Sequence, residues 1–196
     1  MDKFSELLKN NKLVIIDGAM ATQLEARGCD INDELWSAKM LAERPELIED
    51  VHYTYFEVGA DIGISASYQA TVPGFMKKGF SREESENLVK KSMTLLINAR
   101  NKYQEKHPER KNLVASAAIG PYGAYLADGS EYTGDYKVDP EIIEAFHKER
   151  MQLLKDAGAE IFACETLPCL WEAEIILKAA KELDVPCWFS FSCKDH

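Results

Sequence analysis

Leu13-Val14-Ile15-Ile16-Asp17-Gly18-Ala19-Met20-Ala21-Thr22 is the stretch on which the reading of this chain turns. Four apolar residues run directly into an acid, a glycine and small residues, the pattern of a short strand buried on both faces. In a parallel α/β protein the chemistry sits outside the carboxyl ends of the strands, which is where Asp17 falls. Asp17-Gly18 is therefore expected to open a ligand site to which later strands deliver further residues. The competing assignment is structural, with Asp17 capping the helix that follows, a common job for aspartate.

Working outward, four more strands are expected at 61–68, 113–118, 160–165 and 185–192, separated by helical patterns. Leu88, Val89, Ser92, Met93, Leu95, Leu96 and Ala99 fall on one helix face, and Ile142, Ile143, Phe146, Leu153, Leu154 and Ala157 on another. Residues 72–75 read as a loop, and residues 120–132 as a long one. Loops of that length in compact domains are usually functional or disordered, and its three tyrosines favour order. Gly59-Ala60-Asp61 and Gly158-Ala159-Glu160 each cap a helix and turn straight into a strand. Strands alternating with helices predict a parallel sheet with right-handed crossovers. At roughly 45 residues per unit, the chain holds about five of the eight units of a closed barrel of ~250 residues. A five-stranded doubly wound sheet would be complete at this length, so the count alone does not decide.

Composition narrows the partners. A chain of 196 residues with 46% hydrophobic and 10% aromatic content can bury a sizeable core as one domain. A formal charge of -10 and a pI near 5.0 argue against nucleic acid and anionic membranes, both of which demand a basic face. The opening Met1-Asp2-Lys3-Phe4-Ser5-Glu6 carries no apolar signal region, and no stretch approaches a membrane span. Five cysteines, an odd number, suggest reduced thiols and a cytoplasmic location. Their spacings do not fit a zinc site, because Cys164/Cys169 and Cys187/Cys193 are separated by four and five residues. Cys187 and Cys193 would lie ~20 Å apart along an extended strand.

Asp17 through Glu25 resembles the opening strand and loop of the homocysteine S-methyltransferase family. So do Leu35-Trp36-Ser37-Ala38, Ala66-Ser67-Tyr68-Gln69-Ala70-Thr71 with Pro73-Gly74-Phe75, Gly120 through Tyr132, and Glu165-Thr166. The tyrosine-rich loop and Ser67-Tyr68-Gln69 look most like the branch that uses S-methylmethionine or S-adenosylmethionine. The resemblance implies a (β/α)8 TIM barrel, with residues 1–196 a single homocysteine-binding domain, incomplete at its C-terminus, that carries about the first five βα units. It implies transfer of a methyl group from a sulfonium to the thiol of homocysteine, giving methionine. It also implies a zinc ion that activates the thiol, held in the family by three cysteines in Asn-Cys and Gly-Gly-Cys-Cys stretches that this sequence lacks.

Carried over by residue, Asp17 and Glu165 would hold the amino group of homocysteine, the backbone at Gly18 would approach the amino acid, and Trp36, Tyr68 and Gln69 would wall the pocket. Both acids end apolar strands, and two carboxylates brought together want a cation between them. Structural alternatives remain at this point: a lysine or arginine partner for Glu165, and core or lid packing for Trp36 and Tyr68. Because the zinc cysteines are absent, the chain alone is expected to be inactive, and the alternative function is an amino-acid-binding module without catalysis. Open barrel edges are expected to promote self-association.

Overall fold

The computed structural model describes residues 2–30 and 36–193, with the side chains of Trp36 and Ser37 outside that set. Four strands, β1 (Ile62–Ile64), β2 (Val114–Ile119), β3 (Ile161–Leu167) and β4 (Cys187–Phe191), form one parallel sheet in the order β1-β2-β3-β4. A doubly wound sheet reverses its strand order partway, and this one does not. Four of the five strands expected from the sequence are found, the one at 61–68 cut to three residues by the turn that follows it, whereas the 13–17 run makes only an isolated bridge.

The helices are α1 (Lys3–Asn10), α2 (Met20–Ala26), α3 (Met40–Glu43), α4 (Pro45–Glu57), α5 (Val72–Lys77), α6 (Arg82–Lys106), α7 (Tyr122–Leu126), α8 (Pro140–Asp156) and α9 (Leu170–Glu182). Local chemistry sets their ends. Ser81 and Glu84 form a reciprocal capping box at the start of α6, with bonds of 3.2 and 2.8 Å. Thr71 Oγ1 accepts the Gly74 N–H at 3.1 Å, and with a proline in the first turn this makes a helix of residues expected to be a loop. The long 120–132 segment is likewise folded, into α7 and a 3-10 turn at Ser130–Tyr132. The helix expected over 32–40 lies partly outside the described residues, and Trp36–Lys39 is a 3-10 turn leading into α3.

The 13–17 segment departs from its reading as a strand buried on both faces. Leu13, Ile15 and Ile16 are 75%, 48% and 51% exposed. The segment makes one parallel bridge, Ile16 to Ile62, and among the described residues no strand pairs with its other side. It is an edge, pinned by Ile15 N–H to Asp61 Oδ2 at 3.0 Å and Asp17 N–H to Ile62 O at 2.9 Å.

The main core lies between the sheet and the helices, where Phe56, Leu96, Leu154, Phe162 and Ile176 are buried. On the other face Ile62, Val114 and Ile161, at the starts of their strands, pack on Leu7 of α1, which closes the amino end of the sheet. Ile142 departs from the expected core face of α8 and is 50% exposed. The buried face of α8 instead includes His147 and Arg150. Those two belong to a polar cluster on the helix side of β3. Glu172 accepts from the Tyr122 N–H at 2.6 Å and Tyr136 OH at 2.5 Å, and pairs with His147 Nε2 at 2.9 Å. Burial alone would raise the Glu172 carboxyl, but His147, Tyr136 and the Tyr122 amide together hold it below its ordinary value. Replacing Glu172 with alanine leaves these donors buried without an acceptor, and urea unfolding should show a loss of about 3 kcal/mol or more.

Candidate ligand site at the carboxyl ends of the strands

A cavity of about 470 Å³ opens at the carboxyl ends of the strands. The first segment gives it Asp17, Gly18 and Met20, the exit of β1 gives Ser65 and Tyr68, β3 gives Glu165 and Thr166, and β4 gives Ser190. The volume suits a small organic ligand.

Asp17 is placed by the backbone. Its Oδ2 accepts the Ile64 N–H at 2.8 Å, and its side chain is only 5% exposed. The helix-cap assignment fails, because Ala19 is the N-cap of α2 and makes no side-chain bond. Gly18 is required by its neighbour: a Cβ there would lie 2.8 Å from the Tyr55 hydroxyl, which itself donates to Ala19 O at 3.1 Å. Ser65 and Ser67 hydroxyls meet at 2.7 Å, and Ser67 donates to Ala118 O at 2.8 Å, which fixes the turn that presents Tyr68. Tyr68 packs where a Gly120 side chain would be, and burial pushes its phenol above the ordinary value.

Glu165 reaches the cavity by strand alternation after Cys164, and a β-bulge brings Thr166 there beside it. Cys164 pairs with Phe189 and Leu167 with Phe191, so β3 spends one more residue than β4 between those points. Cys164 faces the core, yet Glu165 and Thr166 both line the cavity. Thr166 pays with a left-handed backbone, φ 60°, and its N–H donates to Ser190 Oγ at 3.1 Å.

Of the other expected wall residues, Gln69 is buried and donates to Ala124 O at 3.2 Å instead of lining the cavity. Its side chain serves the β2–α7 connection. The Trp36 side chain lies outside the described residues. Met20, Ser65 and Ser190 line the cavity without having been singled out from the sequence. Nor was His52 of α4, fully buried beside Asp17 with Nδ1 3.9 Å from Oδ2. Its signal was available, since it lies four residues from both Ile48 and Phe56 on the buried face of α4.

The electrostatics favour a cation. Burial, with Glu165 as a like-charged neighbour, raises Asp17 to about 7, and burial raises Glu165 to about 7. Among the described residues, no lysine or arginine lines the cavity. An ammonium group between the two acids would favour both anions and displace protons.

The described residues offer no cluster of three or more histidine, cysteine or acidic side chains able to hold a metal ion. Cys164 is enclosed in the core and raised in pKa by burial and by Cys187, while Cys193 lies exposed beyond β4. A family zinc therefore does not fit the cysteines described.

Fold and site together define a parallel α/β protein with a cation-seeking acidic site at the carboxyl ends of its strands. Residues 14–196 match the sequence profile of the homocysteine S-methyltransferase family, and the chain belongs to that family. It is 47% identical over 199 residues to Homocysteine S-methyltransferase YbgG of Bacillus subtilis (strain 168), an alignment covering 100% of this chain and 63% of that protein. It is 47% identical over 190 residues to Homocysteine S-methyltransferase of Escherichia coli (strain K12), covering 96% of this chain and 61% of that protein. The chain thus spans about three fifths of the length of these curated relatives. The crystal structure of the metallated form of the homocysteine methyltransferase MmuM from Escherichia coli superposes with a TM-score of 0.94 at 46% identity, covering 99% of this chain and 68% of that one.

An Asp17 raised to about 7 binds more protons folded than unfolded, so it destabilises the fold as pH rises from about 4 through 7. Asp17→Asn removes that burden. At pH 8 its melting temperature should exceed the parent's by at least about 2 °C, provided the amide still accepts from Ile64. An equal or lower melting temperature contradicts a strained, buried carboxylate.

Proposed function

We propose that this chain carries the homocysteine-binding part of a homocysteine S-methyltransferase, which moves a methyl group from S-methylmethionine or S-adenosylmethionine to the thiol of L-homocysteine. The convergence of Asp17 and Glu165 on one cavity, with no cationic side chain among its described lining residues, carries the reading. The two carboxylates receive the substrate ammonium, Gly18 leaves room for the Tyr55 hydroxyl, and Tyr68 closes the wall beside Glu165. In the transfer the homocysteine sulfur forms a bond to the methyl carbon as the donor S–CH3 bond breaks. The thiol proton leaves to solvent, and the sulfonium becomes a neutral thioether. A thiol of pKa ~8.5 is mostly protonated at neutral pH, so it needs activation. The zinc implied by the family would be held by ligands other than the described residues.

The continuous strand order and the match to a solved family member support a (β/α)8 barrel, of which these strands form an arc and residues 1–196 one domain. The names of the relatives favour the enzyme over a non-catalytic binding module. No described helix is long and apolar enough to cross a membrane. The formal charge of -10 supports a cytoplasmic enzyme acting on small molecules, since nucleic acid and anionic membranes call for a basic face.

In calorimetry on the chain, Glu165→Gln should weaken homocysteine binding at least about tenfold, the scale of one lost charge-assisted hydrogen bond. Sulfonium-donor binding should hold within about threefold. Equal losses for both ligands remove Glu165 from the amino-group role. No homocysteine binding by the parent removes the substrate assignment.

Ile15 and Ile16 at one sheet edge and Phe191 at the other are 48%, 51% and 45% exposed. Unpaired apolar edges promote association. Sedimentation velocity should find species heavier than the 22.1 kDa chain. A sharp monomer boundary at high concentration overturns the expectation.

A further inference from the structure

His52 is the buried polar group that the proposed chemistry leaves unused. It projects from α4 into the space behind Asp17, 1% exposed, and neither ring nitrogen has a hydrogen-bond partner among the described residues. A neutral imidazole always carries one N–H and one acceptor nitrogen, so one buried donor here lacks a partner. If packing alone were served, an apolar side chain would fit among Ile48, Val51 and Phe56 at lower cost. Nδ1 faces Asp17 Oδ2 at 3.9 Å, and a movement of about 1 Å would make a hydrogen bond. Oδ2 already accepts from Ile64, but a carboxylate oxygen has capacity for a second donor.

We propose that His52 is the positioning residue of Asp17: its neutral Nδ1–H closes on Oδ2 when the carboxylate ionises, and holds the acid aimed at a ligand's amino group. The aim toward an amino group rests on the function proposed above, whereas the contact itself does not. Burial lowers the His52 imidazole to about 3, so it acts as a neutral donor. The titratable neighbours of Asp17 are Glu165 from β3 and the Tyr55 phenol from α4. Cations on the adjoining helices are engaged elsewhere. Arg27, after α2, bonds Asp50, Gln23 and Thr54, while Lys102 and Lys106 of α6 lie over the Tyr53 ring. His52 is thus the neutral donor placed to favour the Asp17 anion from behind.

Nitrogen-15 NMR of the ligand-free 196-residue chain reads the tautomer directly. Above about pH 8, where the Asp17 carboxyl is ionised, His52 should be neutral with its proton on Nδ1. A proton on Nε2 alone overturns the proposal. Carbon-13 titration of the Asp17 carboxyl supplies a second reading. His52→Leu should raise the Asp17 midpoint by about one pH unit, a tenfold change in proton affinity, and His52→Asn, which returns an N–H near Nδ1, should restore it. No shift in His52→Leu, or no recovery in His52→Asn, overturns it. If His52→Leu does not fold, the parent tautomer and the His52→Asn midpoint decide. If these signatures hold while homocysteine fails to bind, the substrate assignment falls and the contact stands.

Discussion

The hydrogen bond from the Ile64 amide to Asp17 Oδ2, at 2.8 Å, ties the first segment to the exit of β1 at the rim. That segment has one bridge to the sheet and half-exposed apolar side chains. Its other fastenings are the Asp61 carboxylate on the Ile15 amide, and the Ile15 and Ile62 carbonyls on the ladder side. One carboxylate therefore both fastens the sheet edge and lines the cavity. The two duties conflict. The position that makes the bond buries the acid, and burial disfavours its charge by more than the Ile64 amide restores, raising the carboxyl to about 7.

The second acid arrives by a different device. Regular alternation after Cys164 would turn Glu165 toward the cavity and Thr166 back toward the helices. The extra residue in β3 puts both on the cavity, at the expense of a left-handed threonine, a conformation worth about 1–3 kcal/mol of strain. β4 and the residue after it absorb this. Ser190 Oγ accepts the Thr166 amide, and Ser192 Oγ donates to the Thr166 carbonyl at 3.3 Å. Both serines come from the edge of the sheet, so the geometry of Glu165 depends on β4 being in place.

Periodicity made most of this arrangement legible. The apolar face of α6 and the four runs that became β1 to β4 follow from spacing alone, and Asp17 and Glu165 stand where parallel strands end. What spacing could not give was neighbourhood. The 13–17 run is apolar enough for a buried strand, but burial needs a sheet on both sides, which composition does not encode. Thr71 and Pro73 were available as a cap and first-turn pair, and the loop reading missed α5 because proline and glycine outweighed them. Gln69 lies one residue past Tyr68 in the chain, yet a turn sends its amide to Ala124. His147, Arg150 and Glu172 occupy buried helix faces whose apolar neighbours drew the reading.

Glu172 and the rim acids are a controlled comparison within one molecule. On the helix side of β3, Glu172 receives donors from Tyr136, His147 and the Tyr122 amide, enough to hold it ionised despite complete burial. On the cavity side, Asp17 receives one backbone amide, and burial dominates Glu165. A buried acid with its full set of donors stabilises the fold and has little left to offer a ligand. Acids left short of donors around an open cavity carry a standing demand for positive charge, and no described side chain lining the cavity meets it. A group carrying positive charge would gain most beside such acids, because the described lining offers them none.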